Sequence, residues 1–476
     1  MKLSEFNLNN SRIENFNDVE ITGISYNSKT TKAGDVFICQ KGEHVDSHNF
    51  FQNAIENGAV AFLCERKIDC NLPQIIVDNS SKQIGELASI FFGYPTKDLN
   101  LIGVTGTNGK TTVSHLMQQI SEEDNKKCAI IGTLGYKLSS DDLYKNEDRT
   151  TPQPSDLQQT FSEIKNKEVA NVIMEVSSHA LSQNRIGGSD FKGAIFTNLT
   201  QDHLDYHKTM EEYFKAKAIL FKNLSSDNFA VINIDDVYGN KLCDLTTAKT
   251  FTYGIYKKAD FRSTDVKHSL NGASFLLNEK YPVNLKMCGE FSVYNTLAAI
   301  AGASAMGIDI ETAISALEKT YGVAGRFEAV VQNPLVIVDY AHTPDGLENV
   351  LNSAKEITPQ GSKLICVFGC GGDRDTAKRP IMAQIAERIA DVVIITSDNP
   401  RSEDPQAIID DVLCGISNKE KAIVKIDRHE AIIAAKNIAE KNDVIILAGK
   451  GHEDYQILKT GKIHFSDKEC AKEIFS

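Results

Sequence analysis

The 476-residue chain has no excess of basic residues, no long apolar run, no closely spaced cysteine pair and no internal repeat. Its 51 lysines and arginines face 64 aspartates and glutamates, a net charge of -13. It therefore lacks the basic balance with which a general nucleic-acid binder neutralises phosphates. No uninterrupted apolar stretch approaches the ~18 residues of a membrane span. The opening Met1-Lys2-Leu3-Ser4-Glu5-Phe6-Asn7 shows no charged-then-apolar signal pattern. The cytoplasm is the expected compartment, with neither nucleic acid nor membrane as partner. Of the ten cysteines, the closest pair is Cys366 and Cys370, which is not the CxxC spacing of a redox or zinc site. Reduced, packing thiols are expected.

What is present reads as globular, with 41% hydrophobic and 24% charged residues. A chain this long exceeds what one core supports, so about three domains are expected. Short apolar pieces at 35–39, 59–63 and 74–77 predict a small α/β domain over residues 1–98. Residues 99–326 carry apolar strands near 129–131, 172–174, 194–196 and 230–232 with helical patterns between them. That alternation predicts a central, mostly parallel sheet of the P-loop ATPase kind, with antiparallel additions over 251–285. After a small-residue linker, Tyr321 to Arg326, strands near 335–338, 364–368, 392–396, 423–426 and 444–447 alternate with helices. Residues 327–476 are thus expected to form a Rossmann-like domain.

The most informative stretch is Gly106-Thr107-Asn108-Gly109-Lys110-Thr111-Thr112, between an apolar strand and a helical pattern. Glycines let backbone N–H groups close around phosphate, Lys110 can reach the terminal phosphates and Thr111 can ligate magnesium. The strict pattern wants glycine where this chain has Val104, so a glycine turn without nucleotide is the alternative. Glu175 ends the next apolar strand, where a carboxylate can hold magnesium against phosphates, or simply cap the strand. His203 and Asp205 lie in a loop dense in ligand-capable groups, and either metal binding or solvation suits them. Lys217 sits on the apolar stripe of its helix with Tyr213, Phe214, Leu220 and Phe221. A buried ammonium there must be paired, deprotonated or modified, unless the side chain snorkels to water.

Four polar clusters follow four strands of the last domain: Asp339 to Asp345, Gly369 to Asp375, Asp398-Asn399-Pro400-Arg401, and Gly449 to Glu453. One crevice is expected to collect them. Arg374 and Arg401 suit carboxylates, while Glu453 or Asp398 can face an ammonium, which together fit a zwitterionic ligand.

Taken together, the 106–112 loop, Glu175 to His179, Asp202 to His207, Tyr213 to Phe221, Asn295, Gly325-Arg326, Asp339 to Asp345 and Asp398 to Arg401 resemble the Mur ligase family over essentially the whole chain. These are ATP-dependent amide-forming enzymes of peptidoglycan precursor synthesis. The resemblance implies that ATP phosphorylates a D-glutamyl γ-carboxylate and that an amine attacks the acyl phosphate. It implies ATP contacts at Gly106 to Thr112, Asn295, Arg326 and Asp339, and Mg2+ at Thr111, Glu175, His203 and Lys217, with Lys217 carbamylated. Lys110, Glu175, His203 and Lys217 are the implied catalytic set. Ser28, Thr150, Thr151, Ser177, Gln183 and Arg185 match positions for UDP-N-acetylmuramoyl-L-Ala-D-Glu. Asn27-Ser28-Lys29 departs from the usual Asp-Ser-Arg of relatives. Arg374, Asp398, Asn399, Pro400, Arg401, Gly449 and Glu453 resemble the meso-diaminopimelate site of members that add that amine. A monomer is expected. The rivals are a ligase adding L-lysine or another residue, a folylpolyglutamate-synthase-like ligase, and a nucleotide-switched binding protein.

Overall fold

A computed structural model describes residues 1–42, 45–145, 149–269 and 272–476. The chain divides into two compact units. The first holds residues 1–105, 125–194 and 219–229, and the second holds 106–124, 195–218 and 230–476. Among the described residues no helix is long and apolar enough to cross a membrane. All ten cysteines are free.

In the first unit, β1 (Arg12–Glu14), β2 (Gly23–Ser25), β3 (Asp35–Ile38), β4 (Ala61–Cys64) and β5 (Gln74–Ile76) form a sheet in the order β1-β5-β4-β3-β2. Strands β2 to β5 pair in parallel, and β1 runs antiparallel to β5. Both faces are covered, which is why these strands read as short continuous apolar runs. Val36, Ile38, Leu63 and Ile75 pack with Ile84 and Leu87 of the helix Ser80–Phe91, while Phe37, Cys39 and Phe62 point into a second cluster. That split follows the two-residue period of a strand. The helix starts at Asn79, whose side chain accepts from the Lys82 N–H.

The same unit carries β6 (Asn100–Thr105), β7 (Cys128–Gly132), β8 (Gly135–Lys137) and β9 (Asn171–Glu175), ordered β6-β9-β7-β8. The pairs β6–β9 and β7–β9 are parallel, β7–β8 is antiparallel, and Val104 stands opposite Glu175. The carboxyl ends of β6 and β9 therefore lie side by side. Thr105, directly before the glycine loop, donates its hydroxyl to the carbonyl of Val176, directly after Glu175, at 2.8 Å.

Strands β10 (Gly193–Phe196) and β11 (Phe229–Asn233), which begin in the first unit and end in the second, are followed by β12 (Lys249–Gly254), β13 (Phe261–Ser269), β14 (Gly272–Leu277) and β15 (Tyr281–Leu285) of the second, in that order. The expected antiparallel pairing holds for β13–β14 and β14–β15, but β12 pairs with β13 in parallel over two residue pairs. Asp260 explains the departure. Its carboxylate accepts from the N–H and the hydroxyl of Thr252, at 2.8 and 2.7 Å, and folds the short connection back toward β12.

The remaining sheet comprises β16 (Glu328–Gln332), β17 (Leu335–Asp339), β18 (Leu364–Phe368), β19 (Val392–Ile395), β20 (Ala422–Val424) and β21 (Val444–Ala448), ordered β16-β17-β21-β18-β19-β20. All are parallel except β16, an antiparallel edge strand paired with β17. Helices Pro344–Ile357, Lys378–Ile389 and Pro405–Leu413 bury Leu347, Met382 and Ile409 on one face. Helices Arg428–Ile438 and Asp467–Phe475 bury Ile432 and Ala471 on the other. This is the doubly wound arrangement expected. Strands β16 and the hairpin β22 (Tyr455–Leu458) to β23 (Gly461–His464) were not anticipated.

Candidate active site

The glycine loop is braced from the end of β10. The Thr107 N–H donates to the Asn198 carbonyl and the Asn108 N–H to Asn198 Oδ1, both at 2.9 Å. Thr197 Oγ1 donates to the Asn108 carbonyl at 2.6 Å, and the Thr200 N–H donates to Thr107 Oγ1 at 3.0 Å. Gly109, with φ of 86°, begins the helix Lys110–Glu123. A Cβ there would stand 2.4 Å from Asn295 Oδ1 in a backbone region that disfavours side chains, so this position requires glycine. Lys110 Nζ folds back onto the Gly106 and Thr107 carbonyls at 2.9 and 2.8 Å. Arg326 Nη2 donates to Thr111 Oγ1 at 3.3 Å, and its guanidinium lies 4.4 Å from the Tyr340 ring centroid.

Lys217, in the helix Met210–Lys222, is 1% exposed. It does not snorkel. Its Nζ donates to the Gly106 carbonyl at 2.8 Å, the same oxygen that Lys110 engages, and lies 4.7 Å from the Tyr213 ring centroid. Burial first, and the Lys110 charge second, push its pKa well below the usual lysine range, against an opposing pull from Asp202. Burial would raise the Asp202 carboxyl, yet His203, His342 and Lys378 together hold it below its ordinary value. His203 stands 3.3 Å from Asp202 and packs edge-on to Tyr213, whereas Asp205 is exposed.

In the first unit, Glu175 is 1% exposed. Its two carboxylate oxygens accept from the N–H and the hydroxyl of Thr133, each at 3.1 Å, which leaves further lone pairs for a cation. Thr151 Oγ1 donates to the Glu175 carbonyl at 2.9 Å and accepts from the Ser177 N–H at 3.1 Å. Thr150 Oγ1 lies 3.1 Å from Thr133 Oγ1. Arg185 donates from Nη1 to the Thr151 carbonyl and from Nε and Nη2 to Gln183 Oε1, at 3.2, 3.0 and 2.6 Å. Thr150, Thr151, Glu175, Ser177, Gln183 and Arg185 thus form one polar cluster. Ser28 does not join it; its carbonyl accepts from Asn57 Nδ2 at 2.8 Å.

In the second unit, β17, β21, β18 and β19 are neighbours, so the four polar clusters emerge side by side. Asp339 is held by the N–H groups of Phe327 and Ala341 at 2.6 and 2.7 Å; burial raises its carboxyl, and Arg326 opposes the rise. Gly449, with φ of 116°, donates to the Asp339 carbonyl at 3.0 Å. Arg401 Nη1 donates to the Gly372 and Asn399 carbonyls at 2.8 and 3.4 Å, and Arg374 is exposed, its Nη1 on the Asp373 carbonyl at 3.0 Å. The Pro400 carbonyl is so close to Gly372 that a Cβ there would lie 2.0 Å from it. Asp398 and Glu453, expected to face a ligand ammonium, already flank an ammonium of this chain: Lys450 Nζ lies 3.3 Å from Asp398 and 3.4 Å from Glu453.

Three family profiles match the chain: "Mur ligase family, catalytic domain" over residues 20–91, "Mur ligase middle domain" over 104–303 and "Mur ligase, glutamate ligase domain" over 325–451. A protein of Bacillus cereus named UDP-N-acetylmuramoyl-L-alanyl-D-glutamate–2,6-diaminopimelate ligase is 47% identical over 465 residues, covering 95% of this chain and 94% of its own. The chain belongs to the Mur ligase family. A Clostridium botulinum Mur ligase of the same name is 44% identical, covering 96% of both chains. A solved structure carrying that name superposes with a TM-score of 0.70 at 34% identity, covering 95% of this Mur ligase and 94% of its own chain.

Sequence reasoning passed over several residues of this Mur ligase. Lys450 falls within the Gly449 to Glu453 cluster but is given no role of its own there, although it is wholly buried. Lys378, whose Nζ donates to the His342 carbonyl at 2.9 Å, lies just beyond the Gly369 to Asp375 cluster. The β22 hairpin pins the Asp398–Arg401 turn: Gln456 Nε2 donates to the Asp398 carbonyl at 2.6 Å, and the Arg401 N–H to the Ile457 carbonyl at 3.0 Å. Its signal in the sequence is the two-residue Lys459-Thr460 turn between Tyr455-Gln-Ile-Leu and Gly461-Lys-Ile-His.

Proposed function

We propose that this Mur ligase joins meso-2,6-diaminopimelate to the D-glutamyl γ-carboxylate of UDP-N-acetylmuramoyl-L-alanyl-D-glutamate, with ATP converted to ADP and phosphate. The observation that carries this reading is the 47% identity over 95% of the chain to a ligase of that name. The Asp398-Asn399-Pro400-Arg401 turn, together with Arg374, supports the amine assignment. Residues 1–98 take the nucleotide-sugar, 99–326 take ATP and 327–476 take the amino acid.

A carboxylate resists amines until one of its oxygens becomes part of a good leaving group. The substrate carboxylate attacks the γ-phosphorus and ADP departs. The amine then attacks the acyl carbon through a tetrahedral intermediate, and phosphate leaves with one former carboxylate oxygen. Lys110, released from the Gly106 and Thr107 carbonyls, neutralises the phosphates, while the loop N–H groups and Gly109 admit them closely. Arg326 adds positive charge beside Thr111, and Asn295 and Asp339 hold the nucleoside. Within the second unit the donor set suits Mg2+: the Thr111 hydroxyl, the His203 imidazole and Lys217 once carbamylated would hold it. When bound, the ion spreads the phosphoryl charge that repels attack. Thr150, Thr151, Ser177, Gln183 and Arg185 hold the muramoyl peptide, and Ser28 the uridine end. Cytoplasmic action as a monomer completes the proposal, since ATP and a nucleotide-linked precursor are cytoplasmic substrates.

An amino-acid panel tests it. Purified protein with ATP, Mg2+ and the UDP-muramoyl dipeptide is expected to release phosphate with meso-diaminopimelate, and several orders of magnitude less efficiently with L-lysine, which lacks the distal carboxylate. Comparable kcat/KM with both amines would refute the assignment. Phosphate release independent of any amine would favour a nucleotide switch.

A further inference from the structure

Lys450 is unusual among the polar groups of this crevice because it is 0% exposed. Its Nζ donates to the Tyr455 carbonyl at 2.7 Å, to Asn399 Oδ1 at 3.3 Å and to Glu453 Oε2 at 3.4 Å, and faces Asp398 Oδ1 at 3.3 Å. Apart from that ion contact, Asp398 Oδ1 is buried without a hydrogen-bond partner. Asn399 is oriented at the same time. Its Oδ1 accepts from Lys450 and from the Ile457 N–H at 2.9 Å, so its Nδ2 must point the other way, where it donates to Glu453 Oε2 at 3.0 Å. One buried cation therefore fixes Asp398, Asn399 and Glu453 together.

The charges around this point can be counted. Arg428 is matched by Asp467 in a wholly buried bidentate pair, with contacts of 2.7 Å. Lys450 itself has two carboxylate partners, Asp398 and Glu453, for its one positive charge. Two carboxylates side by side in a buried site would otherwise favour protonation of one of them. We propose that Lys450 is a positioning residue of the amino-acid subsite: its buried ammonium holds Asp398, Asn399 and Glu453 in one arrangement, two carboxylates around one internal cation, that receives a single substrate ammonium. The inference rests on reading this crevice as the diaminopimelate site. It adds an explanation of why the site takes a zwitterion, with Arg374 and Arg401 supplying the positive counterpart. Lys450 touches no reacting atom in this account.

The titration of Glu453 follows the same geometry. Burial and Asp398 raise its carboxyl, and Lys450 and Asn399 oppose the rise; Tyr455, Tyr340 and Arg428 are the other titratable groups facing it. Removing the ammonium moves the Glu453 carboxyl further upward. Its ability to bind a cation is then lost at a higher pH as the solution is acidified.

Full-length Lys450→Met and Lys450→Gln are compared with the unmodified protein in phosphate-release kinetics. Each variant is expected to raise KM for meso-diaminopimelate by at least about tenfold, with KM for ATP and for the nucleotide-sugar held within about twofold. The acid limb of kcat/KM for the amine moves to higher pH. An unchanged KM for the amine, a parallel rise in all three KM values, or loss of cooperative thermal unfolding in both variants overturns the proposal. Failure of the underlying reading shows separately, as an unmodified protein that turns over with another amine but not with diaminopimelate, and it removes the proposal too.

Discussion

Lys217→Ala is expected to lower kcat by at least about a thousandfold, the scale on which losing a transition-state charge stabiliser acts, while the protein stays folded. The helix tolerates the change, since alanine is the strongest helix former. The chemistry does not. In the unmodified protein the Lys217 amine and the Lys110 ammonium share the Gly106 carbonyl, and burial with Lys110 pushes Lys217 well below the ordinary lysine range. A lowered pKa leaves the amine unprotonated at lower pH than a surface lysine. An unprotonated amine can add CO2: an N–C bond forms, one proton leaves to solvent, and a cation site becomes an anion. That reversal changes repulsion from Lys110 into attraction and supplies an oxygen ligand beside the phosphate loop. Acetate or formate is expected to restore part of the activity of Lys217→Ala, and intact-protein mass spectrometry of the unmodified chain under CO2 should show the added carboxyl. Full activity of the variant would refute this role.

The second large effect is at the opposite end of the reaction. Arg401→Ala is expected to reduce kcat/KM for meso-diaminopimelate by about a hundred- to a thousandfold, equivalent to about 3–4 kcal/mol. Arg401 adopts φ of 54°, a conformation held by its N–H on the Ile457 carbonyl and by Nη1 on the Gly372 and Asn399 carbonyls. Its Nε and Nη2 have no hydrogen-bond partner among the described residues, so two donors remain for a carboxylate in the paired geometry that guanidinium favours. The same variant should change kcat/KM for L-lysine little, because lysine offers no distal carboxylate to lose. The ratio between the amines therefore collapses. An equal loss with both amines would assign Arg401 to holding the turn rather than to selecting the substrate.

Lys217 and Lys450 mark the limit of what the sequence discloses. Lys217 was legible because it interrupts an apolar stripe at helical spacing, and a lone charge there has few physical outcomes. Lys450 lies in a glycine-rich turn, where lysine is ordinarily solvated, and only the fold buries it under the β22 hairpin. Strands β3 to β7, β9 to β11, β17 to β19 and β21 were legible because each is a short apolar run, as burial on both faces demands, and the half-exposed edge strand β20 because it too is apolar. Edge strand β16 is half-exposed, with a register shift between Ala329 and Val331, and its pattern resembles a loop. The parallel β12–β13 pairing depends on an Asp260 side-chain contact that periodicity does not record. At the sites, strand-end position was enough to group the four clusters of the last sheet. The pairing of Asp398 with an internal ammonium was not visible, because Asp398 and Lys450 lie 52 positions apart in the chain and spacing reveals no such contact.

Carboxylate activation by ATP is the central claim, and an isotope measurement tests it most directly. The UDP-muramoyl dipeptide is prepared with both γ-carboxylate oxygens of its D-glutamyl residue as oxygen-18 and incubated with the protein, ATP, Mg2+ and meso-diaminopimelate. Mass spectrometry then reads the phosphate and the new nucleotide-sugar peptide. The account predicts one labelled oxygen in each phosphate, one retained in each new amide, and one tripeptide formed per ADP; unlabelled phosphate, or ADP without tripeptide, would contradict it.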